Sequence, residues 1–290
     1  MKLRKIIEFI IEKLIFLCGV ASILFVILIF AFLLKEGISF FKEISFPKFI
    51  GGRYWYPISE PPQFGILPLI LGSLMVTLGA IIVSVPLSIA AAFYISEVAP
   101  LKIKDILKAG IEMLAAIPSV VLGFIGMVTL VPWLKKAFHL PTGLTALSGS
   151  IMLGLMAMPT IISISEDAIN AVPKSYKEGA LALGATRWQA MYRVIIYAAM
   201  PGIIAATMLG IGRVIGETMA VMMITGNAAV IPHTFLQPVR TLTATIAAEM
   251  GETVHGSMHY YSLFGIGIIL FVITFVINFT ADIFLHRNRR

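Results

Sequence analysis

The chain has 290 residues, of which 59% are hydrophobic and only 13% charged, and its mean hydropathy is +0.96. Soluble domains carry about 25% charged residues, so this composition excludes an ordinary water-soluble globule and places the chain in lipid. The net charge of +7 is read first as a topology signal, because cytoplasmic loops of membrane proteins collect Lys and Arg. The single cysteine, Cys18, excludes an internal disulfide and a multi-cysteine metal site. In its apolar run it reads as a small hydrophobe.

A spanning helix needs about 20 apolar residues. Six segments qualify: Leu14–Leu34, Ile66–Ile95, Met113–Val131, Leu144–Ser165, Val194–Ile224 and Tyr260–Ala281. The first is too long for a signal-peptide core and no small-residue cleavage site follows it, so it reads as an uncleaved helix. With the N-terminus inside, fourteen Lys and Arg fall on the inner side and seven on the outer side. This bias places both termini in the cytoplasm. The expected fold is therefore an all-α integral membrane protein with six transmembrane helices. Residues 1–65 form the first helix and an extracytoplasmic loop. Residues 66–285 form the main transmembrane domain, with a cytoplasmic loop at about 166–193. The outer loop holds Arg53-Tyr54-Trp55-Tyr56-Pro57, whose aromatics suit a membrane interface.

The cytoplasmic stretch SYKEGALALGATRWQ, residues 175–189, is closely punctuated. Pro173 prevents a preceding helix from running on. Ser175 and Glu178 have capping-box spacing, as do Thr186 and Gln189. Gly184 suits the left-handed position that ends a helix. The pattern predicts a short helix over 176–183, a corner, and a second helix from about Arg187 that enters the membrane. A helix of two turns is marginal in water, so the rest of the chain or a partner must hold it.

The fifth span carries Arg213 and Glu217. A charge at mid-bilayer costs about 2.5–3.5 kcal/mol on insertion scales. Their spacing of four puts them on one helical face, where they can pair, although Arg before Glu is the less favourable order. Gly212, Gly216 and Ala220 form a small-residue stripe that would admit a second helix closely. One reading is a buried pair that fixes helix register. The other is an anion path, because arginine offers a planar fork of donors that matches an oxyanion. In that reading Glu217 holds Arg213 at rest and yields it to the passing anion. Glu252, His255 and His259 could present a zinc-ligand trio, but Gly251 and Gly256 weaken a helix there, and solvated outer residues are the preferred reading. Glu112 reads as interfacial, and Asp282 as a partner of the basic C-terminus. No phosphate-cradling G-x-x-x-x-G-K-[ST] loop occurs, so energy from ATP would have to come from another chain.

Glu178-Gly179-Ala180, three residues and then Gly184 resemble the EAA loop of ABC-importer permeases. FGILPLILGSLMVT, EGALALGATRWQAMYRV, GIGRVIGETMAV and RTLTATIAAEMGE together resemble the PstC type of phosphate-importer permease. The resemblance covers roughly residues 36–285. It implies an ABC-importer permease fold in the cell membrane. It also implies that Glu178, Gly179, Ala180 and Gly184 shape a helix docking on a cytoplasmic ATPase, with Arg213 and Glu217 on the substrate path. The implied partners are a PstA-like second permease, two copies of a PstB-like ATPase and a PstS-like phosphate-binding protein. No cofactor is expected in this chain, and ATP and Mg would sit on the ATPase. Molybdate or sulfate remains an alternative substrate, and a membrane metalloenzyme using the Glu252 trio a more distant one.

Overall fold

A computed structural model describes residues 2–287. The long N-terminal helix α1 (Lys2–Phe41) is followed outside by α2 (Phe46–Gly51) and a two-residue hairpin, β1 (Trp55–Tyr56) against β2 (Gln63–Phe64). The second span is α3 (Leu67–Phe93), extended by a wide π-type turn at Tyr94–Val98. Next come α4 (Leu101–Ala116), α5 (Ser119–Ile125) and α6 (Val131–Ala137). The fourth span is α7 (Ala146–Asn170), and α8 (Lys174–Ala182) lies in the cytoplasmic loop. Helix α9 (Arg187–Ala190) enters the fifth span, which continues through a π-type turn into α10 (Ile196–Gly216). Short helices α11 (Met219–Ile224) and α12 (Leu242–Glu249) precede the last span, α13 (Met258–Arg287).

Among the described residues six helices are long and apolar enough to cross a membrane. Four match the expected spans with extended ends. The third differs, because Ile117 and Pro118 are extended and separate α4 from the span, which runs Ser119–Ala137. Met113 therefore belongs to an amphipathic cytoplasmic helix, which also carries the exposed Glu112. The fifth differs as well. It ends at Gly216 instead of running through to Ile224.

The core is the pair α3 and α7, which run parallel from the outer to the inner side. Small residues let them approach closely. A methyl on Gly79 would meet Ser150 Oγ at 2.3 Å, and one on Gly154 would meet the Ala80 carbonyl oxygen at 3.3 Å. Ser150 itself donates to Ala146 O and Val76 O, so its hydroxyl is satisfied in the apolar interior. Helix α10 packs antiparallel on α7, where Gly210 faces Ile161 and Gly202 faces Ala168. No residue from 7 to 36 of α1 is buried, while Phe40 at its outer end enters the core, and the helix leans on α13 through Phe30–Phe271 and Phe32–Phe264 ring contacts.

Outside, Trp55 is buried instead of lying at a membrane interface, and its indole N–H donates to Glu249. A buried indole needs such a partner. Tyr54 and Tyr56 remain exposed and stack on each other. The side chain of Asp282 lies outside the described residues.

Candidate functional site

Two regions carry the candidate residues, one at membrane depth and one in the cytoplasm. The first is built on the break after α10. Glu217 has extended backbone angles, φ −68° and ψ 131°, where a continuing helix would need ψ near −42°. The pairing of Arg213 with Glu217 that the spacing would allow therefore does not occur, because four-residue spacing brings side chains together only along an unbroken helix. Arg213 instead donates from its guanidinium to Thr160 Oγ1 at 3.1 Å. Glu217 Oε1 accepts from the Ala220 backbone N–H at 3.3 Å and so caps α11. Among the described residues no carboxylate pairs with Arg213.

The break is stitched by local polar groups. Glu217 N–H donates to Val214 O, and Thr218 Oγ1 to Gly216 O. Thr243 Oγ1, from α12, donates to Glu217 O at 2.9 Å. Irregular backbone at membrane depth is tolerated only with such partners or beside a water-filled path. Thr160 is the fifteenth of the 25 residues of α7, which puts it about 21 Å below the outer helix end at 1.5 Å per residue. Arg213 therefore projects its charge well inside the bilayer, and it is exposed on the face that this chain leaves open.

The small-residue stripe is also redistributed by the break. Gly212 and Gly216 face open space, with nothing within 4 Å of an added methyl. Ala220 lies on α11 and is fully buried, and Gly123 of α5 approaches so closely that its added methyl would stand 2.8 Å from Ala220 Cα. Glycines 202 and 210, rather than 212 and 216, make the tight contacts of α10.

In the cytoplasm, α8 starts two residues earlier than the expected 176. Pro173, extended at ψ 135°, stands at its N-cap and the Tyr176 N–H bonds to the Pro173 carbonyl. Ser175 is thus inside the first turn, and the expected Ser175–Glu178 capping box does not form. Gly184 adopts φ +85°, a left-handed conformation that costs other residues 1–2 kcal/mol. Thr186 and Gln189 form a complete capping box. No residue of α8 is buried. Glu178 and Gly179 are exposed, Ala180 is half-buried, and Leu183 just beyond is 91% exposed.

The Glu252, His255 and His259 trio does not assemble. His255 stacks on Tyr260, and His259 Nε2 meets Glu249 at 2.8 Å. No group of three metal-ligating side chains gathers among the described residues. Glu249 was not legible as a node, yet it gathers the Trp55 indole, the Arg240 guanidinium and His259. It joins the outer hairpin, the loop after α11, α12 and the start of α13. Glu249→Ala would strand a partly buried arginine and an indole N–H at once. We expect it to destabilise the folded protein by about 3 kcal/mol, read as a lowered melting temperature in detergent.

A six-span bundle with a broken, charge-bearing span and an exposed cytoplasmic helix defines a membrane transport permease. The chain belongs to the family of binding-protein-dependent transport system inner membrane components, whose model matches residues 84–290. It is a transporter subunit and not an enzyme; permeases of this family work with a substrate-binding protein and an ATPase carried on other chains. The probable ABC transporter permease protein YqgH of Bacillus subtilis is 40% identical over 261 residues, spanning 89% of this chain and 84% of that one. The phosphate transport system permease protein PstC of Mesorhizobium japonicum is 36% identical, over 82% of this chain and 78% of its own. A probable PstC of Methanocaldococcus jannaschii is 32% identical over 99% and 96% of the two chains. Among solved structures, a bacterial alginate ABC transporter in complex with its alginate-bound periplasmic protein matches with TM-score 0.64 at 17% identity, over 92% of this chain and 91% of that chain. The inward-facing MetNI methionine transporter matches at TM-score 0.60 and 18% identity, over 80% and 100%. These two matches bear on the fold alone.

Proposed function

We propose that this chain is the permease subunit of an ATP-driven importer of inorganic phosphate and forms half of its translocation path. The observation that carries the reading is an unpaired arginine at membrane depth in a chain whose relatives include phosphate permeases. Arg213 offers a bidentate fork to phosphate oxygens. Thr160 holds that fork only by a neutral hydroxyl bond, so an anion can displace it at small cost. Glu217, four residues further on and turned toward α11, borders the same path. An ion must leave the path as readily as it enters, so high-affinity capture falls to an outer PstS-like protein.

The second permease is PstA-like, and it covers the open face that displays Gly212, Arg213 and Gly216. The assembly has two PstB-like ATPases that bind ATP and Mg; one docks on α8, where Glu178, Gly179 and Ala180 build the helix and Gly184 turns the chain back to the membrane. No cofactor is assigned to this chain itself. The test is uptake of labelled phosphate at low external concentration in cells that depend on this subunit, with molybdate and sulfate as competitors. Phosphate uptake that neither competitor suppresses is expected. Uptake of molybdate or sulfate in place of phosphate would move the substrate to that anion.

A further inference from the structure

Glu166 is a carboxylate near the cytoplasmic end of α7, and it is only 2% exposed. Lys104 Nζ lies at 3.0 Å and Lys108 Nζ at 2.9 Å from its two oxygens, both from α4. Asn170 Nδ2 donates to it at 2.6 Å. Asn170 Oδ1 in turn accepts from Ser96 Oγ at 2.7 Å, at the inner end of the second span. The next residue, Glu97, pairs with Lys177 of α8. The Lys108 ammonium has its pKa raised, chiefly by its hydrogen bond to Glu166. A buried carboxylate costs several kcal/mol unless it is paired and hydrogen-bonded, and this one has both kinds of partner.

The chain of contacts continues upward. Helix α4 joins α5 through the extended Ile117-Pro118 corner. Gly123 of α5 abuts Ala220 of α11, and the Ala220 N–H is the group that holds the Glu217 carboxylate. A route of polar contacts, close packing and two chain connections, at Ser96-Glu97 and at Ile117-Pro118, therefore runs from the exposed helix α8 to the break in the fifth span. Rigid elements joined in this way can carry a displacement between distant sites. Besides Glu166, α4 is held by the exposed Lys108–Asp167 pair, the Lys104 contact to Asn170 Oδ1 at 3.4 Å and the packing of Ile111 against the Ile95 and Ile162 cluster, and Glu166 is the buried ionic contact among these.

We propose that Glu166 is a positioning residue for coupling: it clamps α4 to α7, so that movement of α8 is delivered through α4 and α5 to the break at Glu217. The proposal rests on α8 being the docking helix for the ATPase. Glu166 touches neither the anion path nor the docking surface.

The experiment uses the assembled transporter in proteoliposomes, with labelled inorganic phosphate and ATP. Phosphate moved and ATP hydrolysed are counted together. Glu166→Gln is expected to keep the ATPase bound and hydrolysing at the wild-type rate, while phosphate moved per ATP falls roughly 2- to 30-fold. Glu97→Gln, which weakens the link to Lys177 without touching the buried node, is expected to lower the same ratio. It decides the matter if the Glu166 variant does not assemble. A ratio unchanged in the variants that assemble, even with both rates reduced together, overturns the proposal and leaves the node a folding device. A wild-type complex that binds its ATPase but moves no phosphate would overturn the transport reading and this proposal with it. Loss of ATPase binding in the wild type would remove α8 as the docking helix.

Discussion

Arg213→Gln should abolish most phosphate uptake while leaving the protein in the membrane at its normal level. The two halves of that expectation have separate causes. A hydrogen bond to a charged group contributes about 1.5–3 kcal/mol, so losing the fork-to-phosphate contact in the path slows passage roughly 10- to 160-fold. Folding does not suffer in proportion. The side chain makes one neutral bond, to Thr160, whose loss costs only about 1 kcal/mol. Removing the charge also relieves an insertion cost of about 2.5–3.5 kcal/mol. Labelled-phosphate uptake, normalised to membrane level and to co-purified ATPase, checks it. Uptake within a factor of two of wild type would take Arg213 off the path.

Leu183→Glu should detach the ATPase. Leu183 is 91% exposed, so it gives little to the stability of this chain, and a charged replacement there is harmless in the isolated subunit. A docked partner would bury it, which is worth about 1.5–3 kcal/mol for a leucine, or roughly 10- to 160-fold in affinity. Burying a carboxylate in its place adds a desolvation penalty. Co-purification of the ATPase and ATP-driven uptake are expected to fall together, with membrane level unchanged. Wild-type recovery of the ATPase would move the docking surface off the end of α8.

Most of the bundle was legible because lipid imposes one strong constraint, a run of apolar residues long enough to cross it. The same constraint hid the break at Glu217. Met219-Ala220-Val221-Met222-Met223-Ile224 continues the apolar run, and hydropathy does not record a change of backbone direction. The pairing of Arg213 with Glu217 and the glycine stripe were both inferred by assuming a straight helix, so one turn of the chain undid both. Helix α12 was missed because Arg240-Thr241-Leu242-Thr243-Ala244-Thr245 is neither long nor periodic. Its position is fixed by distant partners such as Ser73, whose hydroxyl accepts from the Leu242 N–H. The cytoplasmic corner was read well at Gly184, Thr186 and Gln189, where local chemistry decides the backbone. At Ser175 two local rules competed, and the extended backbone of Pro173 set the helix start first. The Glu249 and Glu166 nodes join residues separated by 194 and 58 positions, and no local pattern announces such meetings.

The lean of α1 on α13 has a consequence for how the protein is made. Helix α1 leaves the ribosome well before the membrane neighbour it leans on, α13, which follows more than 200 residues later. At about 5–20 residues per second, α1 waits on the order of 10–40 seconds alone among lipids. Its long uncharged apolar stretch, Leu14–Leu34, lets it do so without a chaperoning neighbour. The parallel pair α3 and α7, with its buried serines and close glycines, forms in the interval, so the bundle is assembled from its middle and closed at its edge by the arrival of α13.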